Sequence, residues 1–207
     1  MSIVKTNYKN AEIATLSQRL AKIYQIGEQI LHTNDFANIF EIKNPNTLHM
    51  TLTRYVKSGV LFRIYRGLYA MVPIEKLDRK LLGLKALHEY SYISTESILV
   101  QAGIVLQMVP NITMLSSRSK RFQILNQGYL SRQLADQYLF NPIGVSIVNG
   151  IRVANASRAV ADLLYFNPHV HLDAPRLVNW REVQEIQKTL NYPLTINRYD
   201  FAKSSRR

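Results

Sequence analysis

Cysteine is absent from this chain of 207 residues, so disulfide bonds and thiolate metal sites are both excluded. Long apolar runs are also missing, and none approaches the roughly 20 residues that a membrane-spanning helix needs. The first residues lack the apolar core of a secretory signal peptide. The sequence therefore predicts neither export nor membrane insertion, and we expect a cytoplasmic location.

Acidic residues are scarce, because 14 Asp and Glu stand against 26 Lys and Arg and leave a formal charge of +12. Such an excess of cations favours a polyanionic partner, since lysine and arginine raise the local potential and release counterions from phosphates. Nucleic acid is the first candidate and an acidic protein is the second. Both halves of the chain are basic, so charge alone does not locate the binding surface.

The common catalytic motifs are missing as well: the glycine-rich phosphate loop, Gly-x-Gly-x-x-Gly, His-Glu-x-x-His and Gly-x-Ser-x-Gly. Asp35 with Glu41 and Lys43 superficially matches a nuclease pattern, but the phenylalanines beside these residues are needed for a core. Asp162 lies on a largely apolar helix. It is expected to be a buried carboxylate with satisfied hydrogen bonds or with a basic partner.

His169, His171 and Asp173 alternate, so in a strand they would share one face and could bind a metal ion. Pro168 and Pro175 bracket these residues and favour a loop instead. We therefore expect no metal, no cofactor and no enzyme activity.

The informative stretch runs from Asn44 to Tyr69 and begins with a helix. Asn44 can cap this helix, Pro45 suits its first position, and Gly59 can end it. At 100° per residue the apolar residues gather on one side. The other side carries Asn46, Thr47, Met50, Thr53, Arg54 and Lys57. Asparagine, threonine and arginine read base edges and lysine reaches phosphates, although a solvated face of an ordinary helix is the alternative.

A basic hairpin follows the helix. Residues 60–71 alternate around Arg66-Gly67, which places Arg63, Tyr65 and Arg66 near the tip. Upstream, the spacing predicts a helix from Leu16 to near His32 and then a short helix. Helices followed by a basic hairpin predict a winged helix-turn-helix, with the second helix of the pair in the major groove and the wing along the backbone or minor groove. This domain spans residues 1–73, with 1–15 as a loose arm.

Residues 74–207 predict a second domain of α/β type, so the whole chain is assigned to the α+β class. Residues 74–92 have the spacing of a connecting helix with His88 as a core residue. The other predicted elements are a short extended piece from Tyr92, a helix capped at Ser94 and ended by Gly103, a strand over 112–115, a hairpin around Asn149-Gly150, a helix from Asn155 or Ser157 to Phe166, a helix from about 179 to 190 and a basic tail.

A compact basic turn is predicted within this second domain at Arg118, Lys120 and Arg121. Such a cluster would contact DNA phosphates or an acidic partner protein, or it would be an ordinary solvated turn.

Several segments together resemble the antitoxin family of the abortive-infection AbiE toxin–antitoxin systems. The matching segments span most of residues 17–166. They are Leu52…Arg54-Tyr-Val-Lys-Ser-Gly-Val-Leu-Phe-Arg63, Arg66-Gly-Leu-Tyr-Ala, Tyr92-Ile-Ser-Thr-Glu-Ser97 with Gly103-Ile104, and Val153-Ala154 with Arg158-Ala…Asp162-Leu-Leu-Tyr165. The wing segment is shared by many winged-helix proteins, so the order of the segments carries the resemblance.

The resemblance implies a repressor and antitoxin of a phage-defence operon. Its winged helix would bind inverted repeats in operator DNA, as a monomer or a dimer. Its C-terminal domain would counteract a nucleotidyltransferase toxin. By position, Asn46, Thr47, Met50 and Arg54 would face bases. The alternatives are a protein-interaction module that docks an acidic partner without specific DNA binding and, less favoured, a DNA-processing nuclease.

Overall fold

The chain is of mixed α+β class, in agreement with the sequence prediction. A computed structural model describes residues 18–193. The predicted loose arm at residues 1–15 and the predicted basic tail lie outside the described residues. Two compact units meet in the sequence between Asp78 and Arg79, whereas the sequence analysis placed the boundary at residue 73.

Unit 1 combines three helices with a small antiparallel sheet. Its elements are α1 (18–26), β1 (Ile30–His32), α2 (Thr33–Phe40), α3 (Pro45–Lys57), β2 (Phe62–Tyr65), β3 (Leu68–Ala70) and a 3-10 helix (Ile74–Lys76). β3 is the central strand, and β1 and β2 pair with it on either side. The core beneath the helices is built from Ile23, Leu31, Phe36, Phe40, Leu48, Leu52, Tyr55, Leu61 and Tyr69.

The predicted helix from Leu16 to His32 is wrong at its C-terminal end. Gly27 adopts a φ of 71° and its N–H donates to the Tyr24 carbonyl, which ends α1. Ile30 and Leu31 then pair with β3 as a strand. Two adjacent apolar residues fit either a helix or a strand, and the pairing partner near residue 69 decides between them.

Unit 2 is built on one six-stranded sheet. Its elements are α4 (Arg79–Leu87), β4 (Ser91–Ile93), α5 (Glu96–Gln101), β5 (Asn111–Ser116), β6 (Lys120–Ile124), β7 (Gln127–Gln133), α6 (Asp136–Leu139), β8 (Val145–Val148), β9 (Ile151–Ala154), α7 (Ala156–Phe166), a 3-10 helix (Pro175–Leu177) and α8 (Trp180–Leu190). The strand order is β6-β7-β5-β4-β9-β8, with β4–β9 and β5–β7 parallel. α7 packs against both α5 and α8.

Three predictions for the segment before β5 are wrong. Residues 74–92 are not one helix, because α4 ends at Leu87 and Ser91 already belongs to β4. His88 is exposed at a φ of 55°, just after α4, rather than in the core. Ser94 does not cap α5 either, since Thr95 precedes that helix and the Ser94 hydroxyl donates to the Asp162 carboxylate at 2.7 Å.

The later elements follow the prediction closely. The β8–β9 hairpin turns at Asn149-Gly150, and both residues have positive φ, as this type of turn requires. Asn155 caps α7 by accepting from the Arg158 N–H at 2.7 Å, and Asn179 caps α8. Within the described residues, no helix has the length and apolar character to cross a membrane.

Candidate functional site

The local sequence of α3 explains both where it begins and which side it buries. The Asn44 side chain accepts hydrogen bonds from the N–H groups of Asn46 and Thr47, at 2.9 and 3.2 Å. Leu48 and Leu52 then face the core of unit 1. One side of the helix therefore packs in the core, and the opposite side is exposed.

The residues of α3 that are predicted to contact DNA bases or phosphates all lie on this opposite side, which we call the outer face. Its members are exposed: Asn46, Thr47, Met50, Thr53, Arg54 and Lys57. α3 contains no acidic residue, and its two cations fall in the last turn, where they also suit the helix dipole. His49 is exposed beside these residues as well. His49 was not among the predicted contact residues, although its angular position next to Asn46 and Thr53 indicates that it belongs there.

The β2–β3 hairpin carries the remaining predicted residues. Arg63, Tyr65 and Arg66 are all exposed, and Gly67 adopts a φ of 92° at the tight turn. The register shifts between Arg63 and Tyr65, so the strand is irregular as it reaches the tip. Partial burial raises the pKa of the Tyr65 hydroxyl above its ordinary value.

One aromatic cluster supports both the outer face and the hairpin. The Phe36 ring lies 5.5 Å from that of Phe40 and 5.8 Å from that of Tyr69 in β3, while Phe40 lies 5.9 Å from Tyr55 in α3. At the hairpin turn, the Thr33 N–H donates to the Gly67 carbonyl at 3.0 Å. These contacts fix α3 and the hairpin relative to one another through α2.

The acidic side chains of unit 1 that the structure describes lie outside α3 and the hairpin. Asp35 accepts from the His32 N–H at 2.7 Å at the start of α2. Glu41 forms an ion pair with Lys22 at 2.8 Å, and this hydrogen bond and charge lower the pKa of its carboxyl. The two carboxylates that superficially match a nuclease pattern therefore have structural contacts: that of Asp35 accepts a hydrogen bond at the start of a helix, and that of Glu41 forms a surface ion pair.

The predicted basic turn in unit 2 is divided between a bend at Arg118 and the first residues of a strand. Arg118 pairs with Glu89 at 3.0 Å. Lys120 and Arg121 are already part of β6, an edge strand, where successive side chains point to opposite faces. Lys120 lies over the Phe122 ring, with its ammonium 5.3 Å from the ring centroid. The prediction of a compact turn is wrong, because strand pairing with β7 begins at Lys120.

A closed polar network lies inside unit 2 around Asp162, which the sequence predicted to be buried and satisfied. Its carboxylate pairs with Arg158 and accepts from the hydroxyls of Tyr92, Ser94 and Tyr192. Burial raises the pKa of both tyrosines, so their hydroxyls remain protonated donors. The Arg158–Asp162 pair is fully buried, and its hydrogen bonds connect α7 with β4 and with Tyr192 after α8.

The histidine segment after α7 is a loop, as its flanking prolines indicated. Asp173 accepts from the Leu106 N–H at 2.7 Å, and His171 lies 3.8 Å from its other carboxylate oxygen. Across residues 18–193, no cluster of three or more metal-ligating side chains forms.

Comparison with known proteins gives a likeness of fold. Neither a protein-family model nor a curated protein matches the chain. A crystal structure of the RV2827C protein from Mycobacterium tuberculosis is similar to it, with a TM-score of 0.51 and 8% sequence identity over 88% of this chain and 73% of that one. At this identity the likeness concerns the fold alone.

Proposed function

We propose that the protein is a sequence-selective DNA-binding repressor. In this proposal α3 is the recognition helix and the β2–β3 hairpin is the wing of a winged helix-turn-helix. The observation that carries it is the outer face of α3, where exposed polar and cationic side chains occur without any acidic residue. The hairpin adds two exposed arginines, and one core fixes both elements.

The outer face has the chemistry and the length to read a short DNA segment. Residues 46 and 54 are about 12 Å apart along a helix that rises 1.5 Å per residue, which corresponds to three or four base pairs. Asn46 and Arg54 offer the amide and guanidinium groups that pair with adenine and guanine edges. Lys57, Arg63 and Arg66 would contact phosphates, and these contacts would set the position of α3 in the groove.

The resemblance to AbiE antitoxins extends the proposal to unit 2. On this basis the protein regulates its own toxin–antitoxin operon in the cytoplasm, binds inverted repeats as a monomer or dimer, and uses unit 2 to counteract a nucleotidyltransferase toxin. No cofactor is needed for either role. Co-expression with the adjacent gene tests the antitoxin role: growth that the adjacent gene arrests should be restored by the full chain.

Fluorescence anisotropy tests the repressor role directly. The full-length protein is titrated into labelled duplex from upstream of its own gene and into a scrambled duplex, each at three salt concentrations. We expect a preference of about 10³-fold or more for the upstream duplex that survives raised salt. Equal and steeply salt-dependent binding to both duplexes would mean that the charge acts through phosphates alone, which would contradict the proposal.

One observation favours protein docking as a second function. The loop over residues 104–110 is almost entirely apolar, and Leu106 and Met108 are 72% and 94% exposed. A cavity of about 240 Å³ adjoins this loop, and Lys80 is the one charged residue in its lining. Exposed apolar surface next to a cation suits an acidic protein partner. A stable complex with the adjacent gene product, together with no selective DNA binding, would favour this second function.

A further inference from the structure

Met50 is the apolar residue on the outer face of α3. Its side chain is 60% exposed, and it lies in the middle of that face. Asn46 precedes it by one turn, and Thr53 and Arg54 follow it by one turn, so polar groups border it along the helix axis. A contact surface with this composition presents one apolar side chain between hydrogen-bonding groups.

The major groove offers a matching apolar group. Among the four bases, thymine alone places a methyl group there, at C5, while the other groove-facing atoms are hydrogen-bond donors and acceptors. A methionine side chain is unbranched and polarisable, so it can follow the surface of a methyl group without a strict geometry. It contributes no hydrogen-bond donor and therefore gains little from the edges of guanine or adenine.

We propose that Met50 packs against the C5 methyl group of a thymine and makes the protein selective for thymine at that position. The inference rests on the proposed function, because it requires α3 to lie in the major groove. Asn46, Met50 and Arg54 are spaced by about 6 Å along the helix. The thymine therefore lies within about two base pairs of the bases that Asn46 and Arg54 read.

The test uses the removal of one methyl group from DNA. A duplex that the full-length protein selects from a random library is remade with deoxyuridine in place of each thymidine in turn, and affinities are measured by fluorescence anisotropy. For the wild-type protein we expect a three- to fivefold loss at one position per bound copy, as burial of a single methyl group predicts. At that position 5-methylcytosine should bind more tightly than cytosine by a similar factor.

The Met50→Ala variant should lose both differences, since it no longer contacts the methyl group. Ile147→Ala is the control, because it removes an exposed apolar side chain from β8 of unit 2 and should retain both differences. Thermal unfolding of Met50→Ala should match that of the wild-type protein, as expected for an exposed position.

The outcomes separate the inference from the proposed function. If the library yields no selected duplex, the DNA-binding function fails and the inference fails with it. If a duplex is selected but no thymine is sensitive to methyl removal, or if Met50→Ala keeps the full sensitivity, the inference is overturned while sequence-selective binding stands.

Discussion

Arg158 and Asp162 lie one turn apart on α7, with Nε of the arginine 2.9 Å from Oδ1 of the aspartate, and neither side chain is exposed. The guanidinium also donates to the carbonyls of Tyr138, Asn141 and Ile143, at 2.9, 3.3 and 2.9 Å. The ion pair thus joins α7 to the segment before β8. A buried pair with so many hydrogen bonds is costly to break, because the remaining charge would lack a partner.

The Arg158→Ala variant should destabilise unit 2 by about 3–5 kcal/mol. It leaves the Asp162 carboxylate without its countercharge and removes the guanidinium donor from the carbonyls of Tyr138, Asn141 and Ile143. Urea unfolding of the single variants and of the Arg158→Ala, Asp162→Ala double variant measures the coupling. The loss of unfolding free energy in the double variant should be smaller than the sum of the losses in the two single variants.

The exposed pair of Arg181 and Glu185 is the matched control, because these residues are also four apart on a helix and lie 3.2 Å from each other. Arg181→Ala should cost no more than about 0.5 kcal/mol. If Arg158→Ala and Arg181→Ala lost the same free energy of unfolding, the structural role of the buried pair would be contradicted.

Asn44→Ala should destabilise unit 1 by about 1 kcal/mol, because the N–H groups of Asn46 and Thr47 would lose their acceptor at the start of α3. Asn44→Ser keeps a side-chain oxygen at the cap and should restore most of the stability. Thermal unfolding of the three proteins measures the effect. If the alanine and serine variants were equally destabilised, the cap would not be the cause.

Local signals made α3 and the following hairpin predictable from sequence. Asn44, Pro45 and Gly59 mark the ends of the helix by backbone chemistry, and Arg66-Gly67 marks a turn, so neither element depends on distant contacts. The same holds for Asn149-Gly150 in unit 2. The exposure of the candidate DNA-binding residues followed from the helical period once the buried side of α3 was known.

The three-residue strand β1 could not be predicted in this way, and β4 was predicted only as a short extended piece from Tyr92, without its pairing. β1 exists because Ile30 pairs with Ala70, and β4 because Ile93 pairs with Met114 and Val153. These partners are distant in sequence, and the two apolar residues in each strand are too few to show a period. Arg158 was overlooked as the partner of Asp162, although their spacing of four residues was visible on the predicted helix.

The free energy of unfolding should decrease at acidic pH because Glu96 becomes protonated there and loses its ion pair with Arg132. Its carboxylate accepts from Arg132 Nη1 at 2.9 Å. Burial tends to raise the pKa of this carboxyl, but the hydrogen bonds and charge of Arg132 outweigh burial and hold the pKa below its usual value. The Glu96 carboxyl therefore binds its proton more tightly in the unfolded chain than in the folded protein. Its contribution to the free energy of unfolding is complete above about pH 4.3, and it is lost as the pH falls through the lower pKa of the folded state.

The stability difference between the wild-type protein and Glu96→Gln should therefore shrink as pH falls from 7 to 3. Urea midpoints across this range measure it. Glu185→Gln, at an exposed position of α8, should show a small difference at every pH. A Glu96→Gln difference that stayed constant with pH would contradict the assignment.

Arg54→Ala and Lys57→Ala should weaken DNA binding in different ways, although both side chains are exposed in the last turn of α3. If Arg54 reads a base, its loss should cost about 1–3 kcal/mol against the selected duplex and little against a scrambled one. If Lys57 contacts a phosphate, its loss should weaken both duplexes alike and reduce the salt slope by about one.

Anisotropy titrations at three salt concentrations separate these two effects. Arg176→Ala removes an exposed arginine from unit 2 and should leave the selectivity unchanged. An Arg54→Ala variant that lost affinity equally for both duplexes would place Arg54 against the backbone, because a contact that carries sequence information cannot be lost without loss of selectivity. The base-reading role would then pass to Asn46, Thr47 and Met50, the predicted base-reading residues nearer the start of α3.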